Sequence, residues 1–284
     1  MNEIAMVHEA LGNYVEAEPM LEELLMRRTQ SLGSDHNDVI DTQINLAIVY
    51  RRIGKLEQAE NRCTQSLSLL NDQNRSQDDP MLLRCMTELS KIYLASDKIL
   101  QAESLARNTY EKSRLRFGAK NPKSLRRGQV LVECLGKLGR LDDAQTLSIS
   151  IVSSLQLALG QSHPDTLGAM DSLANIAAAR SDFNLALEQY LEILERKEQA
   201  LGSMHPETLN TLNATAVIYR KLDMLEEAKK AQYMVYQRLQ EKYGHEHPET
   251  LRSMNELADL HIELGEDESA FSISERALEI ERAI

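Results

Sequence analysis

A chain of 284 residues with 42% hydrophobic and 27% charged side chains has the composition of a folded protein, not of a disordered one. Its 44 Asp and Glu against 32 Lys and Arg leave a net charge of −12, which argues against general binding to nucleic acid or to an anionic membrane. No run approaches the length of a membrane-spanning helix and Met1-Asn2-Glu3 opens no secretion signal, so the cytoplasm is the default compartment.

In chain order, residues 1–36 read as a partial unit. Gly12 aligns with Gly54, which puts Ala5 and His8 at the small and aromatic positions of a helix whose front half would precede Met1. Six full units follow, at 37–79, 80–121, 122–163, 164–205, 206–247 and 248–284. Their register is set by His163-Pro164-Asp165-Thr166-Leu167, His205-Pro206-Glu207-Thr208-Leu209 and His247-Pro248-Glu249-Thr250-Leu251, whose prolines are 42 residues apart. The same step back reaches Pro122 and Pro80, and a step of 43 reaches Asn37. A register held this long is the mark of one repeat array, not of separate globular domains.

Each copy of the pentapeptide starts a helix. Proline has no N–H to lose and a φ already suited to the first helical position, and the following acid favours the positive end of the helix dipole. Just before it, Leu159-Gly160, Leu201-Gly202 and Tyr243-Gly244 place a glycine where the preceding helix must stop in a left-handed conformation. Inside a unit, Leu209, Leu212, Ala216 and Tyr219 recur at helical spacing, and the pattern resumes after Lys221-Leu222-Asp223 with Leu225, Ala228, Ala231, Met234 and Leu239. So short a connection predicts an antiparallel helical hairpin in each unit. At the far end, Ala270, Ile273, Ala277 and Ile280 form an apolar stripe with no polar capping helix after it. The two abrupt ends read as a piece of a longer protein or as an end-to-end homo-oligomer.

The elements Leu46-Ala47-(x)2-Tyr50-(x)3-Gly54-(x)4-Ala59 and Thr215-Ala216-(x)2-Tyr219 with Ala228 resemble the tetratricopeptide repeat. The 42-residue step and the LGxxHPxTL linker are similar to the kinesin light chain variety of that repeat. The resemblance spans nearly the whole chain and implies an all-α, right-handed superhelical solenoid. It further implies that the first helix of each pair lines a concave groove in which ligands lie.

On that geometry the inward positions include Arg51, Arg52, Arg84, Lys91 and Arg126, a basic cluster on an acidic chain, followed by Arg220. Asn45, Asn175, Asn210, Asn213 and Asn255 sit at places where related arrays hold the backbone of an extended peptide. The expected function is therefore a non-catalytic protein–protein interaction scaffold for an extended, acidic peptide or partner, needing no cofactor. Two other readings stay open: a ligand-sensing or oligomerisation region of a larger receptor or adaptor, and a small-molecule binder or enzyme using the inner surface. No glycine-rich phosphate loop, GxSxG, HExxH or Cys–His signature appears. The histidines of successive linkers are whole repeats apart and read as caps, not as metal ligands. Cys63, Cys85 and Cys134, odd in number and without a CxxC pair, read as buried thiols.

Overall fold

The computed structural model describes residues 14–283 and, among them, contains thirteen α-helices and no strand. Helix α1 (Tyr14–Leu32) precedes six hairpins: α2 (Asn37–Arg52) with α3 (Leu56–Asp72), α4 (Pro80–Ala95) with α5 (Ile99–Phe117), α6 (Pro122–Lys137) with α7 (Leu141–Leu159), α8 (Pro164–Ala179) with α9 (Phe183–Leu201), α10 (Pro206–Lys221) with α11 (Leu225–Tyr243), and α12 (Pro248–Glu263) with α13 (Asp267–Ala283). Every first helix begins at the register residue expected for it. Ala5, His8 and Gly12 lie outside the described residues. The chain divides into two compact units, Met1–Ser154 and Leu155–Ile284.

The linker pentapeptide is a set of helix-start devices. The Nδ1 of His163, His205 and His247 accepts the backbone N–H two residues on, at 3.1, 3.2 and 3.2 Å. His36, Asp79 and Asn121 fill the same role in the remaining units. Proline follows as the first helical residue in five of the six. The threonine is buried, and in Thr166 and Thr208 its hydroxyl donates to the carbonyl of Gly160 and Gly202, at 2.8 and 2.9 Å, tying the loop back on itself. The leucine enters the core.

Gly202 shows what that loop asks of its backbone. Its φ of 91° is positive, as expected, but ψ is 157°, so the cap lies in an extended mirror region open essentially to glycine alone, not in the left-handed helical well. Ser76 occupies the equivalent position between the first two full units. There the chain is one residue longer and turns at Asn74, with φ 51°, which accounts for the single step of 43. The turns inside the hairpins are less exclusive. Gly54, Asp97, Gly139, Ser181, Asp223 and Gly265 share one register position and φ of 58–80°, a conformation that Asp and Ser tolerate.

Packing follows the repeat. Ala59, Ala102, Ala144, Ala186, Ala228 and Ala270, one per second helix, are all buried, and each keeps its helix close to its neighbours. First helices of successive pairs touch one another, α2 with α4 and α4 with α6 in one unit, and α8 with α10 in the other. Cys63, Cys85 and Cys134 are buried and unpaired.

Candidate peptide-binding face

The contacts between first helices carry several of the residues singled out from the sequence, Asn45, Arg51, Arg84 and Arg220 among them. In the first unit, Arg84 of α4 reaches back to α2 and donates to Asp41 and to the side-chain oxygen of Asn45. Arg51 of α2 stands 3.6 Å from Glu88 of α4, whose other oxygen accepts from Lys91 at 2.8 Å. Glu88 is only 8% exposed. Burial pushes its carboxyl up, but Lys91, Arg51 and Arg84 together outweigh burial and hold it below the usual carboxylate range. Burial likewise lowers the Arg51 guanidinium from its ordinary value, against the pull of Glu88. Arg52 and Arg126 are exposed, Arg52 with its guanidinium 5.9 Å from the Tyr14 ring.

Arg51, Arg84 and Lys91 are thus held by Asp41 and Glu88, with Glu133 also acting on Arg51, in a fixed lattice of charge.

The asparagines divide. Asn45 is 4% exposed and committed to Arg84, so it turns into the fold and away from any ligand. Asn175 accepts from the Tyr190 hydroxyl at 2.6 Å. Asn210 and Asn255 are exposed, and Asn213 is half-buried with its side-chain oxygen buried and without a partner. Arg220 donates through Nε to both oxygens of Glu263, at 2.9 and 3.0 Å, on an exposed surface.

One polar centre escaped the reading of the sequence. Lys197 of α9 is 1% exposed and gives its ammonium to Asp171 of α8, to Thr211 Oγ1 at 3.0 Å and to the Glu207 carbonyl at 3.1 Å. Thr211 donates to the second Asp171 oxygen at 2.9 Å. Burial pushes the Asp171 carboxyl up, with Lys197 opposing. The signal was present in the register: the residues equivalent to Lys197 are Arg28, Leu70, Ser113, Leu155, Leu239 and Glu281, and Arg28 makes the same two bonds, to the Asp38 carbonyl at 3.1 Å and to Thr42 Oγ1 at 2.7 Å.

No cluster of three or more His, Cys, Asp or Glu suited to a metal ion occurs among the described residues, and no helix among them is long and apolar enough to cross a membrane. The tetratricopeptide repeat profile matches residues 1–72, 165–234 and 207–283, well over half of the sequence. The chain belongs to the tetratricopeptide repeat family.

Solved tetratricopeptide repeat structures agree in fold. The nearly identical TPR-like repeats of a candidate kinesin light chain from Podosopora anserina superpose with a TM-score of 0.56 at 21% identity, over 73% of this chain and 98% of that one. BtubC (BKLC) from P. vanneervenii gives 0.66 at 17% identity, covering 80% and 91%. A Rap protein complexed with Competence and Sporulation Factor gives 0.70 at 14% identity, covering 98% and 73%. No curated protein matches the sequence. At these identities the likeness establishes the kinesin light chain-like solenoid fold and nothing of a ligand.

Proposed function

We propose that this tetratricopeptide repeat protein is an interaction module whose first-helix face in the unit of residues 1–154 receives an extended acidic segment of a partner. Such repeats typically serve protein–protein interaction and are generally non-catalytic scaffolds. The reading rests on the five basic side chains, Arg51, Arg52, Arg84, Lys91 and Arg126, that the α2–α4–α6 face gathers. Arg51, Arg84 and Lys91 are fixed by Asp41 and Glu88, so little side-chain entropy is lost when a carboxylate arrives, while Arg52 and Arg126 present exposed charge. The Rap protein, which has this fold, is itself complexed with a factor, which supports a ligand-holding role. Localisation in the cytoplasm belongs to the same proposal.

The geometry also selects the test. Arg51→Glu would set a second carboxylate against buried Glu88 and threaten the fold, so it cannot report on binding alone. Arg52→Glu combined with Arg126→Glu changes exposed side chains. With a fluorescent poly-glutamate peptide as probe, anisotropy should show binding that weakens as salt rises, and about tenfold or more by the double reversal at low salt. Unchanged affinity in the double variant, with its thermal melt intact, would remove this face from consideration.

A further inference from the structure

The opposite, second-helix side of the same unit carries a cleft of about 580 Å³ between α5 and α7, floored by α6. Its volume lies within the range of ligand sites. Two substitutions in the repeat pattern explain why it opens here. In the equivalent position of three other second helices a long cation spans to the loop before its own hairpin: Lys112 to Gln77 at 2.5 Å, Arg196 to Gln161 at 2.8 Å and Arg238 to the Ser203 carbonyl at 3.5 Å. In α7 that position is Ser154, too short to reach the corresponding loop residue, Ala119, and both residues line the cleft. Below it, Gly128 replaces the Gln43, Met86, Met170, Leu212 and Met254 of the other units. A Cβ there would lie 2.9 Å from both Ile151 and the Tyr110 ring, so glycine lets the ring settle onto α6 as part of the floor.

The walls differ in character. Tyr110 and Leu147 offer an apolar bed. Arg107 and Arg140 are tied to Glu103, and Arg140 to Asp143 as well. At the other end Arg114, whose guanidinium lies 5.5 Å from the Tyr110 ring centroid, and Lys120 form no ion pair among the described residues, with Glu111 as the one carboxylate beside them. Leu115, on the rim at that end, is 88% exposed. The cleft one hairpin earlier, about 480 Å³ between α3 and α5, has only uncharged lining and shows no such pairing of an apolar bed with free cations.

We propose that the α5–α7 cleft is a second binding site, taking an acidic segment of a partner protein that lays one apolar side chain over Tyr110 and Leu147 and sets a neighbouring carboxylate against Arg114 and Lys120. An acidic segment matches the free cations, and the exposed leucine beside the cleft extends the contact beyond what a small ligand would cover. This site is independent of the first-helix face.

The test uses the full chain and a fluorescein-labelled peptide with the core Glu-Asp-Leu-Phe-Asp, followed by anisotropy. Ser154→Arg restores the cation found at Arg196 and Arg238 and closes the cleft without asking the fold for anything new. It should weaken the peptide by about tenfold or more, and the exposed-loop change Lys120→Glu should weaken it by several-fold, reporting independently if Ser154→Arg lowers stability. Repeated in the Arg52→Glu, Arg126→Glu background, which removes the contribution of the first-helix face, Ser154→Arg and Lys120→Glu should give the same losses. The proposal is overturned if wild-type protein does not bind at millimolar protein, or if Ser154→Arg and Lys120→Glu bind as wild type. It is likewise overturned if only the first-helix reversal abolishes binding, or if phenylbutyrate alone stabilises the protein as strongly as the peptide, which would make the cleft a small-anion site.

Discussion

Lys197 shows how one residue can depart from a repeat and be accommodated by another. Its ammonium is removed from water, and the compensation comes from Asp171, Thr211 and the Glu207 carbonyl. A buried ion pair seldom repays its own desolvation, whereas breaking it strands a charge. Lys197→Leu alone should therefore cost about 3–5 kcal/mol of stability at neutral pH. The loss should shrink on acidification, because burial already pushes the Asp171 carboxyl up and protonation would discharge it. The pair Lys197→Leu with Asp171→Asn copies Leu239 and Asn213 of the next hairpin, leaves no stranded charge and should recover most of that loss. Denaturant titration of the three proteins decides it; a double variant less stable than the single one would show that the pair is worth more than apolar packing. The pattern of the sequence concealed this centre because Lys197, read alone, looks like one more charged surface residue of a helix. Alignment against Leu70, Leu155 and Leu239 of other hairpins, and against Arg28, which bonds the Asp38 carbonyl and Thr42 in the same way, is what exposes it.

Helix starts, by contrast, were readable almost atom by atom, since proline, the acid after it and the glycine before it each act within a few bonds of where they stand. What the one-dimensional pattern lacked was the second torsion of that glycine and the partners of the side chains on the first-helix face. Asn45 and Arg84 were both placed on that face by helical spacing, yet their mutual bond joins residues 39 apart and depends on how two helices meet. The histidine caps lead to a prediction about pH. To accept an N–H, Nδ1 must be unprotonated, and burial lowers the affinity of His205 and His247 for a proton, with Glu207 and Glu249 opposing. The ordinary value is about 6.5, so the folded state favours neutral imidazole, the contribution is complete above that pH, and it is lost as pH falls toward the depressed folded value. Replacing both by Asn, the cap used at Asn121, should keep the helix starts and flatten the acid limb. Thermal melts at pH 7.5 and 5.5 should show a smaller drop for the double variant than for wild type, by about 0.5–2 kcal/mol per cap. Equal drops would mean that the caps carry no part of the acid sensitivity.

At the scale of the molecule, a net charge of −12 coexists with a first-helix face on which Arg51, Arg84 and Lys91 are locked to Glu88 and Asp41, and no count of residues along the chain could have shown those pairings. The repeat itself limits how far any local defect spreads. In such an array each hairpin is stabilised by its own packing and by its immediate neighbours, and the contacts here follow that order, with first helices touching only the adjacent pair within each unit. Damage at Lys197 should therefore stay near α8, α9 and α10. Hydrogen exchange of Lys197→Leu should show reduced protection across 164–221, at a cost comparable to the loss seen by denaturant, while α2, α4 and the Arg84–Asp41 contact between them retain wild-type protection. If protection fell equally in α2 and α4, the chain would unfold as one cooperative body, and the nearest-neighbour account would fail. Retained protection in α2 and α4 would mean that stability is set hairpin by hairpin. The first-helix face and the α5–α7 cleft could then be altered singly without disturbing the hairpins of the other unit.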